Sequence, residues 1–227
     1  NRKSETYGYI TTTPKLAWKN YNIVGAFADA LDIPVGFDTD VNGSALGEAT
    51  WGITKGLDNS IYITIGTGVG MGIISNGKLL HGMLHPEGGH VLLTRHPKDT
   101  YGGKCPYHSN CLEGLAAGPA IEARWGKKGI ELADKKEVWE LEAYYIGQAL
   151  VDCIMLLSPQ RIVLGGGVMH QEHMMPRVRE EVKKQLNGYL VTKELEDLDS
   201  YIVLPSLNDN QGIMGARKLA VDELAMQ

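Results

Sequence analysis

Apolar residues recur at helical spacing through residues 21–32, where Ile23, Val24, Phe27, Ala28 and Leu31 predict a first helix. Ahead of it, residues 5–19 read as a short extended segment and then a loop turned by Pro14. Residues 33–40 form an apolar run that ends in carboxylates and predicts a short buried strand. The stretch 42–56 is small-sided and helical and leaves at Gly56. Residues 60–80 predict two strands around a glycine turn, with a hairpin turn at Asn76-Gly77. A helix is expected to open at Pro119 and close near Gly126. The longest helix is predicted over 135–158, followed by a strand running into glycines at 161–170. A polar helix at 171–187, a strand at 201–209 and a small-residue helix at 211–227 complete the pattern. Strands and helices alternate, which argues for an α/β architecture. There is no repeat, low-complexity tract or strong linker, and soft boundaries fall near 57 and 210.

Composition narrows the class. The 227 residues are 43% hydrophobic and 22% charged, as expected of an ordinary globular chain long enough for one large domain or two lobes. A net charge of -5 with no basic run argues against a nucleic-acid or membrane surface. No apolar run reaches membrane-spanning length, and no secretory signal is visible. Three cysteines make a disulfide framework a poor fit and a reducing cytoplasm a good one. Cys153, inside the apolar helical run ALVDCIMLL, reads as a buried core thiol. His170 and His173 read as surface histidines.

The other two cysteines carry the strongest chemical signal. Cys105-Pro-Tyr-His108-Ser-Asn-Cys111 with the upstream His90 offers two soft thiolates and two imidazoles, the donor set of a closed tetrahedral zinc site. His85 and His96 compete with His90 for the fourth place, but each precedes a proline that restricts its backbone, whereas His90 follows two glycines. A site with no open position is structural and not catalytic. The same spacing also suits a nucleic-acid zinc knuckle, which the acidic chain disfavours. Glu87 and Glu113 flank the segment. They read either as solvated charges or as carboxylates fixed to accept hydrogen bonds from vicinal sugar hydroxyls.

Three further patterns each leave two readings open. Gly66-Thr67-Gly68-Val69-Gly70 follows an apolar strand and suits a phosphate held on backbone amides, or a plain glycine turn. It is neither a Walker loop nor a dinucleotide fingerprint. Gly165-Gly166-Gly167 ends another apolar strand and suits close approach of a flat ring or phosphate, or a tight turn. Asp38-Thr39-Asp40-Val41-Asn42 ends the expected strand at 33–40. Asp40 there suits a general base toward a hydroxyl and Asn42 a substrate contact, while either also suits a helix cap.

Taken together, Asp40-x-Asn42 with Ala-Leu-Gly-Glu48, the Gly-Thr-Gly-Val-Gly loop, Glu87-Gly-Gly-His90 and Cys-x2-His-x2-Cys-Leu-Glu113-Gly resemble the ROK sugar kinases. The runs HPEGGH and CPYHSNCLEGLAAGPAI are most similar to the bacterial fructokinase branch, and the resemblance covers nearly the whole chain. It implies an actin-like ATPase fold, ribonuclease H-like and two-lobed, with ATP and hexose meeting in the cleft. On that resemblance Asp40 takes the proton from the sugar's terminal hydroxymethyl, and Glu87, His90 and Glu113 hold sugar hydroxyls, with Thr13 and Asn42 closing the pocket. Gly66, Thr67, Gly68 and Gly70 contact ATP phosphates bridged by Mg2+, and Pro119 with Gly165, Gly166 and Gly167 lines the adenosine. His90, Cys105, His108 and Cys111 hold the zinc. Residues 1–57 would be a remnant of the small lobe, 58–210 the large lobe, and 211–227 a helix returning toward the small lobe. The implied activity is ATP-dependent phosphorylation of fructose at the 6-hydroxyl, with a mannose or glucose kinase or a sugar-sensing regulator as alternatives, and the implied assembly a homodimer. The family's opening hairpin, with its Asp-Gly-Gly-Thr phosphate loop, has no counterpart after Asn1. The chain beginning there is therefore expected to lack the front of the small lobe and to have little activity by itself.

Overall fold

Alternation along β3 (Ser60–Ile65) sets how the molecule is layered. Ile61, Ile63 and Ile65 enter the larger core with Leu115, Tyr145, Ile146 and Leu150, while Tyr62 faces the opposite side with Val41, Ala45, Ile74 and Val163. A strand buried on both faces belongs in the middle of a covered sheet, and β3 is the central strand of five. The computed structural model describes residues 4–11 and 16–226, so Thr13 and the turn expected at Pro14 fall outside it.

In chain order the described elements are β1 (Tyr9–Ile10), β2 (Tyr21–Asn22), α1 (Ile23–Leu31), α2 (Asp40–Trp51), β3, β4 (Val69–Ser75) and β5 (Lys78–Leu79). There follow α3 (Leu112–Ala116), α4 (Gly118–Trp125), α5 (Lys136–Leu157), β6 (Arg161–Gly165) and α6 (Met174–Leu186). The last are α7 (Lys193–Glu196), α8 (Leu198–Tyr201), β7 (Ile202–Val203) and α9 (Gln211–Ala225). The main sheet runs β5-β4-β3-β6-β7, and β1 pairs with β2 apart from it. β3 is antiparallel to β4 and parallel to β6, with Thr64 opposite Gly165. The two glycine turns therefore leave the sheet side by side, at the carboxyl ends of adjacent parallel strands, where α/β sheets place ligands.

Helices α3, α5 and α6 cover one face of the sheet, and α2, backed by α9, covers the other. The α2–α9 contact is built on small residues. A Cβ on Gly47 would overlap the Gln211 carbonyl, and one on Gly215 would overlap the backbone of Gly43. Glu48 is fully buried beneath this contact and is satisfied by three donors: Ile53 N at 2.9 Å, Ser206 N at 2.8 Å and Ser206 Oγ at 2.8 Å.

Most expected elements form. Asn76 and Gly77 both have positive φ, 51° and 72°, as the predicted hairpin turn requires, and a third short strand, β5, follows it. Gly126 ends α4 in the left-handed conformation. Two expected strands do not form as read. Residues 33–39 have no regular structure: Pro34 lacks a ladder donor, Ile33 is exposed, and Gly36 is pressed against the Leu219 carbonyl. The strand expected over 201–209 shortens to Ile202–Val203, because Pro205 and the Ser206–Glu48 bonds turn the chain away. His173 is half-buried, with its ring 5.3 Å from that of Trp139, whereas His170 is exposed.

Candidate functional site

The first residues of β4 are where the candidate chemistry meets. Glycines there let three other segments come close. A Cβ on Gly70 would stand 3.3 Å from Val41, the residue after Asp40, and one on Gly72 would overlap the Val41 carbonyl. From the other side, Gly88 and Gly89 lie against Met71 and Val69 and leave no room for a side chain. Glu113 Oε2 accepts the Val69 N–H at 3.0 Å, and a Cβ on Gly68 would stand 2.8 Å from that oxygen. The start of α2, the Gly88–His90 turn and Glu113 thus share one short stretch of β4.

The metal quartet is drawn together by an antiparallel bridge between Leu92 and Cys111, with Leu112 N donating to Val91 O at 3.0 Å. The ligand atoms of His90, Cys105, His108 and Cys111 all lie within 4.8 Å of one another. His90 Nδ1 is 3.8 Å from Cys105 Sγ and 3.6 Å from Cys111 Sγ, and His108 Nδ1 is 3.7 Å from Cys105 Sγ. A zinc tetrahedron with Zn–S of about 2.3 Å and Zn–N of about 2.0 Å has N-to-S edges of about 3.5 Å. The donor set and its spacing therefore fit zinc. The competing histidines are engaged elsewhere: His85 lies 2.9 Å from Glu87, and His96 packs on Tyr144 and accepts from Lys98 N. Burial pushes the Cys111 thiol up to about 11, against the Gly114 N–H and with help from Cys105 and Glu113. A metal here has to displace that proton. With Nδ1 turned to the thiols, His90 shows Nε2 to Glu113, 4.0 Å away.

Asp40 is exposed in the first turn of α2, just past the N-cap Thr39, whose hydroxyl accepts from Asn42 N at 3.2 Å. Cap and carboxylate together fix where the Asp40 side chain leaves the helix. Asn42 is fully buried, and its amide donates to Asp38 Oδ1 at 2.6 Å. Glu87 is exposed and makes its contact with His85, and Thr13 lies outside the described residues.

The glycine loops are tied to α4. Gly118 N donates to Gly66 O at 2.8 Å, which sets Pro119 beside the first loop, and Thr67 is exposed at its crest. Gly166 has φ 89° and sits against Ile65 so closely that a Cβ would overlap the Ile65 backbone. Gly66, Thr67, Gly68, Gly70, Pro119, Gly165, Gly166 and Gly167 therefore share one end of the sheet.

A buried charge cluster holds the loop between His90 and Cys105, and nothing in the sequence spacing announced it. Arg124 of α4 lies 3.2 Å from Asp99 and 3.0 Å from Glu142, and Tyr145 donates to Asp99 at 2.5 Å. One guanidinium serves two carboxylates. Burial raises Asp99, but the bonds from Tyr145 and Tyr101 N, with Arg124, outweigh it and hold the pKa below the usual range. Glu142, fully buried, is pushed by burial to about 8 although Arg124 pulls it down, so it is the group that keeps a proton. Between its ordinary value of 4.5 and about 8, the folded chain holds a proton that the unfolded chain has released. Stability should therefore fall as pH rises through that window. Glu142→Gln should flatten this part of a melting-temperature profile, each kcal/mol being worth about 2–4 °C. A profile as steep in the variant as in the parent would contradict the assignment.

Comparison with known proteins adds to this geometry. The sequence model of the ROK family matches residues 4–223. A fructokinase of Zymomonas mobilis is 46% identical over 224 residues, covering 97% of this chain and 73% of that protein. A fructokinase of Streptococcus mutans is 47% identical over 213 residues, covering 92% and 71%. Among solved structures, the ROK hexokinase of Thermus thermophilus superposes with a TM-score of 0.76 at 25% identity, covering 92% of this chain and 72% of that one.

Proposed function

The chain belongs to the ROK family, and we propose that it carries the catalytic cleft of a fructokinase, which moves the γ-phosphoryl group of ATP to the 6-hydroxyl of fructose. Its fold is the actin-like ATPase fold of the ROK sugar kinases. The observation that carries the reading is the convergence on Val69–Met71 of the Asp40 helix, the Gly88–His90 turn and Glu113, beside two glycine turns.

Asp40 is the general base. It takes the proton of the C6 hydroxyl as that oxygen attacks the γ-phosphorus, while the bond to the β,γ-bridging oxygen breaks and ADP leaves. Little covalent work falls to the protein, so positioning dominates. His90 Nε2, Glu113 and Glu87 hold sugar hydroxyls. Asn42 serves the same pocket by holding Asp38. The 66–70 loop receives the phosphates on its amides, and Gly165 to Gly167 with Pro119 admits the adenosine. Among the described residues the quartet at His90 is the one cluster of potential metal ligands. Mg2+ would be held with the ATP phosphates, where it would supply charge neutralisation. Zinc on His90, Cys105, His108 and Cys111 would fix the backbone that presents His90 and Glu113. The boundaries near 57 and 210 are the proposed lobe limits. No described helix is long and apolar enough to cross a membrane, and free metal-binding thiols suit a reducing compartment, the cytoplasm.

A coupled assay of ADP release in the full-length protein tests the substrate with fructose, mannose and glucose in parallel. Fructose should give the highest kcat/KM, by about tenfold or more. A preference for glucose or mannose would replace fructose as the substrate, and no sugar-dependent ADP release would end the kinase reading.

A further inference from the structure

Asp38 is nearly buried, with its side chain 8% exposed, and it stands two residues before the proposed base. Its Oδ1 accepts the Thr39 N–H at 2.8 Å and the Asn42 amide at 2.6 Å. These two bonds shape the turn that enters α2 and the cap behind Asp40. Its Oδ2 faces His81, whose Nε2 lies at 2.8 Å. Because the partner is a carboxylate, the imidazole is the donor.

His81 comes from a different part of the molecule. It follows β5 and opens the segment that leads through His85 and Glu87 to the Gly88–His90 turn. Gly82 N donates to Leu84 O at 2.8 Å just beyond it, so the segment doubles back immediately after the tether. Between Leu79 and Gly88 the residues are exposed or only half-buried. The His81–Asp38 bond therefore joins the edge of the loop bearing Glu87 to the turn bearing Asp40.

We infer that His81 is a positioning residue for phosphoryl transfer: by donating to Asp38 it fixes the spacing between the proposed base and the sugar-holding segment. The inference rests on the kinase reading and on Asp40 as base. Neither His81 nor Asp38 reaches the substrate in it. Their work is to remove freedom from the two loops that do, and misplacement of about 1 Å can cost a reaction of this kind up to about 100-fold.

The test is steady-state kinetics on the full-length protein with His81→Ala, His81→Gln, Asp38→Asn and the double variant His81→Ala/Asp38→Asn. His81 is partly exposed, so its variants should fold, and a melting curve accompanies each. His81→Ala should lower kcat/KM for fructose by about 10- to 100-fold with the KM for ATP changed by less than about twofold. Gln places an amide donor near the Nε2 position and should recover most of the loss. Because the two side chains share one bond, the double variant should be little worse than the worse single one. The inference is overturned if His81→Ala stays within about twofold of the parent, if the ATP KM rises in step with the loss, or if Gln does no better than Ala. Asp40→Asn is run beside them. Near-parental turnover in that variant overturns the base assignment on which the inference rests, whereas a dead Asp40→Asn beside an unaffected His81→Ala overturns the inference alone.

Discussion

Asp40→Asn should lower kcat for fructose by about 10²- to 10⁴-fold, with the KM values for fructose and ATP nearly unchanged. The size follows from what the substitution removes. Asparagine keeps the shape and the oxygen that accepts the Val41 N–H, a bond of 2.8 Å, and it leaves the Thr39 cap untouched. It cannot accept the hydroxyl proton. The fold should lose only the favourable placement of a negative charge in the first turn of α2, about 0.3–1 kcal/mol. Catalysis, not binding or folding, is therefore where the effect must appear. Single-turnover phosphoryl transfer with bound ATP and fructose measures it directly, and a variant that retains a tenth or more of the parental rate would remove Asp40 from the role of base.

How much of this was readable in the residues depends on distance along the chain. The four candidate ligands lie within a short stretch, so their donor types and spacing mark a candidate metal site before any fold is known. The hairpin at Asn76-Gly77 and the left-handed Gly126 are equally local, because backbone conformation is set by the residue that must adopt it. The positions that misled are those where tertiary partners overrule a local pattern. The run after Leu31 has strand-like composition, yet it lies against α9 through Gly36 and takes no part in a sheet. His173 sits on a polar stretch but finds Trp139, on another helix, to pack against. Asp38 and His81 are 43 residues apart, and Arg124 and Glu142 are 18 apart. No periodicity relates such pairs, and only the fold brings them into contact. The run Asp38-Thr39-Asp40 could not show that Asp38 is the anchored group and Asp40 the exposed one. Nor could it show that Asn42 spends its amide inside the protein.

Cys111→Ser should be the most damaging change at the metal segment. Cys111 is fully buried, its Sγ accepts the Gly114 N–H at 3.3 Å to cap α3, and it lies 3.6 Å from His90 Nδ1. Serine can still cap, so the local helix survives. What it cannot do is complete a soft four-ligand set, and a three-ligand remnant holds zinc far less tightly. Structural zinc contributes its binding energy to folding. A loss of about 3–4 kcal/mol corresponds to a drop of roughly 10 °C in melting temperature for a chain of this size. The functional consequence runs through Glu113, which lies two residues beyond Cys111 and bonds the Val69 N–H. With the segment unpinned, His90 and Glu113 no longer present fixed groups to the sugar, so fructose affinity should fall by about tenfold or more. ATP affinity should change less, because the glycine turns are held by α4 through Gly118 and by the β3–β6 pairing. Metal content by elemental analysis, melting with and without a chelator, and calorimetric titration with each substrate separate these effects. One zinc per chain in the parent, lost with stability and fructose affinity together in Cys111→Ser, is the expected set. Unchanged fructose affinity in a zinc-free variant would reduce the metal to a staple and detach it from the sugar site.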